Sequence, residues 1–158
     1  MVDSPSGVAI AAPSARGRAT IIGMMLFAAL LTIAYWVVWF LVDRNLLASS
    51  QAASYFTFEN AFPAADGWLA LTLLLAALGL ARGRAWGLLA GLLAGGAGVY
   101  LGCMDVLFDI ENGIYLVPKG GDPSAVAIEV TINILTFALS VVGITYFWRH
   151  RRWLLTHG

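Results

Sequence analysis

Hydrophobic residues fall into four long runs along the chain, and the short segments between the runs carry most of the charged residues. A helix needs about 20 residues to cross roughly 30 Å of hydrocarbon, and it satisfies its own backbone hydrogen bonds in lipid. With their flanking residues, the runs predict four transmembrane helices, at about residues 19–42, 66–82, 85–109 and 123–148. The fold class expected is therefore all-α, an integral membrane four-helix bundle.

Composition agrees with a membrane protein. Apolar residues make up 60% of the 158-residue chain and charged residues 11%, whereas a soluble domain has about 25% charged residues. We expect one transmembrane domain at residues 16–152, between a disordered tail at residues 1–15, rich in Ser, Pro, Ala and Gly, and a short tail at residues 153–158. The formal net charge of zero offers no basic surface to nucleic acid.

Basic residues are distributed unequally between the two sides of the predicted bundle. Only Arg44 and Lys119 fall on one side, and seven arginines fall on the other. The seven are Arg16, Arg18, Arg82, Arg84, Arg149, Arg151 and Arg152. By the positive-inside rule, this bias predicts cytoplasmic N- and C-termini for a multi-pass protein of the plasma membrane, with the lipid bilayer as its surroundings.

Glycine recurs on one face of the third helix. Gly87, Gly91, Gly95, Gly98 and Gly102 follow one another at steps of three or four residues. Residues at this spacing lie on the same side of a helix, and small residues there allow another helix to approach closely. We therefore predict that these glycines pack against a neighbouring helix.

Acidic residues favour the side opposite to the arginines. Continuing the glycine face leads to Asp105 and Asp109, and the fourth helix carries Glu129 near its start. Asp105 and Glu129 each lie about 28 Å of helix from the tryptophan at the cytoplasmic end of their own helix, so they should reach the same depth. We predict an outward-facing acidic pocket with these candidate residues: Asp105, Asp109, Asn112, Glu129, Asn133, Glu59, Asn60 and Asp66.

The pocket suits a cation or a proton. Carboxylate and amide oxygens are the ligands that Ca²⁺ and Mg²⁺ prefer, and neighbouring carboxylates can retain a proton instead. A plainer interpretation is that the acids lie in hydrated headgroups, with Asp66 as the N-cap of the second helix. The aromatics near the outer end of the first helix also have a plain interpretation. They fit a belt at the membrane surface, formed by Tyr35, Trp36, Trp39 and Phe40.

Three functions remain open on these residues. The first is a small binding or transport protein that uses the acidic pocket for a cation, with divalent cations included, or for a proton. The second is an accessory or scaffold subunit of a larger membrane complex; a homo-oligomer is also possible. The third is a metal-dependent membrane enzyme acting on a lipid. It ranks last, because the chain has one cysteine and no histidine within the predicted helices, and offers no complete catalytic set.

Overall fold

The computed structural model describes residues 12–116 and 123–157, and over these residues it contains helices and no strand. Four of the helical stretches are long and apolar enough to cross a membrane, which confirms the all-helical architecture that the apolar runs predicted. Within the described residues the α-helices are α1 (Ala15–Val38), α2 (Ala53–Glu59), α3 (Pro63–Ala81), α4 (Ala85–Asn112), α5 (Pro123–Arg149) and α6 (Arg151–His157). Of the tail predicted at residues 1–15, residues 1–11 lie outside the described residues.

The first membrane-length helix begins earlier than the predicted residue 19. The hydroxyl of Ser14 accepts a hydrogen bond from the backbone N–H of Gly17 at 3.1 Å and caps α1. At its other end the chain widens into a π-helical turn, Trp39–Asp43, and then tightens into a 3₁₀ turn, Arg44–Leu46. A π-helical turn rotates the side chains that follow it, and such turns are frequent at functional sites.

The second membrane-length helix begins at Pro63 and not near residue 66. Proline suits a first helical position, because its fixed φ is helical and its missing N–H would have no partner there. The N-cap is Phe62, and Asp66 lies inside the first turn, so the prediction that Asp66 caps this helix is wrong. The Asp66 carboxylate instead accepts a hydrogen bond from Trp36. The 19 residues of α3 span about 28 Å, enough for a membrane without the thinning that a shorter helix would require.

The helices follow one another in space in chain order, with α1 against α3, α3 against α4 and α4 against α5. Between α3 and α4 the chain reverses over three residues. Gly83 takes a φ of +63° there, and Arg84 donates its backbone N–H to the carbonyl of Gly79 at 2.9 Å. This left-handed conformation favours glycine, and the hydrogen bond to the Gly79 carbonyl ends α3.

The glycine face of α4 lies against two helices. Gly87 meets Gly79 of α3 so closely that a methyl group on either would overlap the backbone of the other. The remaining glycines face α5: Gly91 lies against Phe147, Gly95 against Ile144, Gly98 against Ser140 and Gly102 against Phe137. The small residues thus bring α4 close to both neighbours, and side chains of α5 fill the spaces that the glycines leave.

The C-terminal segment, predicted as a short tail at residues 153–158, is helical as far as His157. It forms α6, in which Trp153 and Leu154 are buried in a core shared with α1, α3, α4 and α5. The Trp153 ring lies beside the α3–α4 turn at Gly83 and 6.0 Å from the guanidinium carbon of Arg18. The three apolar residues that follow the arginines, Trp153, Leu154 and Leu155, form too short a pattern to predict a helix, and tertiary contacts stabilise it here.

Candidate functional site

A cleft of about 660 Å³ lies between α1 and α5, with α3 and α4 forming its floor. Its edges include Phe27 and Leu31 from α1 and Ile128 and Leu135 from α5, all of which are exposed. The cleft therefore opens sideways between the first and last membrane-length helices. Most of its lining is apolar, and its volume is within the roughly 300–1,000 Å³ of small-molecule sites.

One end of the cleft is acidic. The carboxylates there are Glu59 from α2, Asp66 from α3, Asp105 from α4 and Glu129 from α5. No Lys, Arg or His is among the described residues that line the cleft. Four acids that are far apart in the sequence thus face one cavity without a basic partner in its wall.

Aromatic side chains of α1 donate hydrogen bonds to this acidic end. The Tyr35 hydroxyl donates to Glu59 at 3.2 Å, and the Trp36 indole N–H donates to Asp66 at 2.8 Å. Next to them, the Trp39 indole N–H donates to the side-chain oxygen of Asn60 at 3.0 Å. These three residues, from the set of aromatics that the sequence assigns to a belt at the membrane surface, therefore donate hydrogen bonds to polar side chains of α2 and α3 and of the turn between them. Of that set, Phe40 is exposed.

The other two cleft acids lack comparable donors. Asp105 is half-buried near the other carboxylates, and none of the described side chains donates a hydrogen bond to it. Beside Glu129 lies the side chain of Ser49, whose residue is 8% exposed. The Ser49 hydroxyl oxygen has no hydrogen-bond partner of good geometry among the described residues.

A second polar cluster lies behind the acidic end. Asn133 is 4% exposed, and its amide N–H₂ donates to Asp109 at 3.0 Å and to the Tyr115 hydroxyl at 2.9 Å. Burial, and next the Asp109 carboxylate, raises the pKa of Tyr115 above its ordinary value. The Asn133 oxygen has no partner among the described residues. Asp109 and Asn133 are thus joined across α4 and α5, outside the wall of the cleft.

The remaining candidates do not contribute oxygens to the cleft. Asn112 is exposed and donates to the carbonyl of Phe108 in its own helix at 2.8 Å. Asn60 is held by Trp39. Across residues 12–116 and 123–157, no three His, Cys, Asp or Glu side chains come close enough to share a metal ion. The acids are grouped around a cavity and are not gathered into one coordination shell.

The chain matches no protein-family model, no curated protein and no solved structure. Its function has to follow from the chemistry of its site, since one fold serves many functions. Carboxylates in an apolar cleft are costly when unpaired, and they become favourable when a cation or proton neutralises them. The arrangement is therefore suited to binding positive charge.

Sequence reasoning found the acids and missed their partners. Tyr35, Trp36 and Trp39 were assigned to the membrane surface because aromatics collect there. A signal was present, since a buried indole N–H or phenol O–H needs an acceptor and the acids outnumber the basic residues on that side. Ser49 and Tyr115 carried no pattern that distinguished them from other loop residues.

Proposed function

We propose that this is a membrane binding or transport protein that takes up a cation or a proton at the acidic end of the cleft. The observation that carries the proposal is the set of four carboxylates, one from each of α2, α3, α4 and α5, on a single cavity whose described wall has no basic side chain. Such groups are rare and costly in apolar surroundings, and they mark ion and substrate sites.

The chemistry favours a monovalent cation or a proton over a divalent metal. A divalent ion such as Ca²⁺ takes six to eight oxygens at about 2.3–2.6 Å, and the described residues hold no group of three acids close enough for that. A single positive charge is satisfied by looser contacts to two or more carboxylates. Asp105 and Glu129, which lack the aromatic donors of the other two, are the first candidates to contact it.

For orientation, we propose cytoplasmic termini in the plasma membrane, with the acidic end facing outward. The arginine bias supports this direction, because the arginines near the termini and at the α3–α4 turn lie at the opposite end of the bundle from the cleft acids. A cation would then arrive from the outer side, where the carboxylates attract it.

The test measures the thermal stability of the purified protein in nonionic detergent. The measurement is repeated in the presence of Na⁺, Ca²⁺, Mg²⁺ or tetramethylammonium, and over a range of pH. A ligand present at about 100 times its Kd stabilises the native state by roughly 2.7 kcal/mol. We expect saturable stabilisation by a monovalent cation or by protons that is lost in Asp105→Asn and Glu129→Gln. The matched control is Glu111→Gln, since Glu111 is exposed and lies outside the cleft. Equal responses of all three variants would refute the proposal.

A further inference from the structure

We infer that the ligand of the cleft is an amphipathic organic cation, with an ammonium group at the acidic end and an apolar chain along the rest of the cavity. This inference rests on the proposed function, because it needs the carboxylates to bind positive charge. It adds the chemical class of the ligand and its route of entry, which neither the acids nor the helices specify on their own.

The shape and lining of the cleft call for a chain. Along α5 the lining extends from Glu129 to Gly143, which is about 20 Å of helix. One leaflet of a bilayer has about 15 Å of hydrocarbon, so the cavity is long enough for a lipid-like tail. Beyond the acidic end, the wall consists mainly of Leu, Ile, Ala, Gly and Met residues with a few hydroxyls. A hydrated inorganic ion would gain nothing from that apolar length.

The side opening provides the route. The edges carry exposed apolar side chains from α1 and from α5, and the main contacts of each of these helices are with the α3–α4 hairpin. In a membrane, a molecule already dissolved in the lipid could enter between α1 and α5 without crossing water. Its amine would then meet carboxylates at the level where charged headgroups lie.

The charge of the wall selects an amine over an acid. The described wall contributes four carboxylates and no basic group. The Ser49 hydroxyl beside Glu129 is a neutral polar group and brings no positive charge to the acidic end. An anionic headgroup would be repelled by the same wall.

Gly143 offers a way to block the chain without touching the acids. It is buried, lines the cleft, and a Cβ placed there meets nothing within 4 Å. The change Gly143→Leu should therefore extend a side chain into empty cleft. Gly96→Leu is the matched control, because Gly96 has equally open surroundings, is exposed and lies outside the cleft. Both changes replace a helical glycine by the same residue.

The experiment measures binding of dodecylamine with a photoreactive chain to the protein in phosphatidylcholine nanodiscs. Dodecanoic acid and methylammonium serve as competitors that lack the charge or the chain. We expect wild type and Gly96→Leu to bind and crosslink within α1 and α5, with competition by unlabelled dodecylamine alone. Gly143→Leu should bind at least about tenfold more weakly, because excluding two or more methylenes from the cleft costs that much.

The outcomes separate the two proposals. If Asp105→Asn abolishes amine binding while Gly143→Leu binds as wild type does, the acidic site stands and the chain does not occupy the cleft. If dodecanoic acid competes as well as the amine, the inferred charge selectivity is wrong. If dodecylamine binds no variant, the inference is refuted, and the response of stability to small cations and pH then decides the proposed function separately.

Discussion

The contact between Gly79 and Gly87 predicts a destabilising effect from one methyl group. In Gly87→Ala, the added Cβ would lie 2.7 Å from the carbonyl carbon of Gly79. Carbon atoms attract at about 3.5–4.0 Å, so α3 and α4 would have to separate by about 1 Å at this point. The obstacle is backbone, which cannot rotate away as a side chain could.

The magnitude follows from comparison with Gly96→Ala. Overpacking a close contact costs about 1–3 kcal/mol. Replacing a helical glycine by alanine recovers up to about 1 kcal/mol, but Gly96 lies in the same helix and its Cβ would meet nothing within 4 Å. The helix-propensity gain therefore cancels, and Gly87→Ala should be less stable than Gly96→Ala by about 1–3 kcal/mol.

The measurement is reversible unfolding in mixed micelles, followed by circular dichroism, for wild type and the two variants. Gly79→Ala provides an independent check, because its Cβ would meet the backbone of Gly87 and should cost a similar amount. If Gly87→Ala proves as stable as Gly96→Ala, the two helices are not in the close contact described, and the reasoning from the glycine face is refuted.

Two further predictions concern the polar and the C-terminal contacts. In a double-mutant cycle, Trp36→Phe and Asp66→Ala should show a coupling free energy of about 0.6 kcal/mol and at most about 1.7 kcal/mol, the mean and the maximum for hydrogen bonds within a membrane protein. A coupling of zero would contradict the 2.8 Å hydrogen bond between the two side chains. Trp153→Ala should destabilise the protein by about 3 kcal/mol because its ring is buried. Trp148→Ala, at a 56% exposed position where the ring contacts the Arg151 guanidinium, should cost at most about 1 kcal/mol. Equal effects of the two changes on unfolding would mean that α6 does not pack on the core.

The fold followed from the sequence where one physical signal was strong. Apolar runs of membrane length identify spanning helices because about 20 consecutive apolar residues cross the hydrocarbon as a helix that satisfies its own backbone. Helix ends were less well predicted, since they depend on single contacts such as the Ser14 cap and Pro63. The short helix α6 was missed because the contacts of Trp153 and Leu154 with distant helices hold it, and such contacts leave no local pattern.

The site was predictable in composition and not in geometry. Charge asymmetry placed the acids on one side, and helix periodicity placed Asp105 and Glu129 at one depth. The sequence could not show that Asp109 and Asn133 bond to each other behind the cleft, or that Asn112 bonds to its own helix. The accessory-subunit, homo-oligomer and lipid-enzyme hypotheses stay predictions, because they concern partners and turnover and not the arrangement of this chain.

The hydrogen-bond donors to the cleft carboxylates are neutral, and this favours a site that binds a positively charged ligand. Tyr35 and Trp36 are neutral, so they orient Glu59 and Asp66 without cancelling the charge that these carboxylates can carry. If the acids served only to attach α1 to the rest of the bundle, an arginine on α1 would suit them better, because its guanidinium can bind a carboxylate with two hydrogen bonds and an opposite charge. That arginine would also remove the negative potential from the cleft. Neutral donors fix the carboxylates in place and leave their attraction available to a ligand.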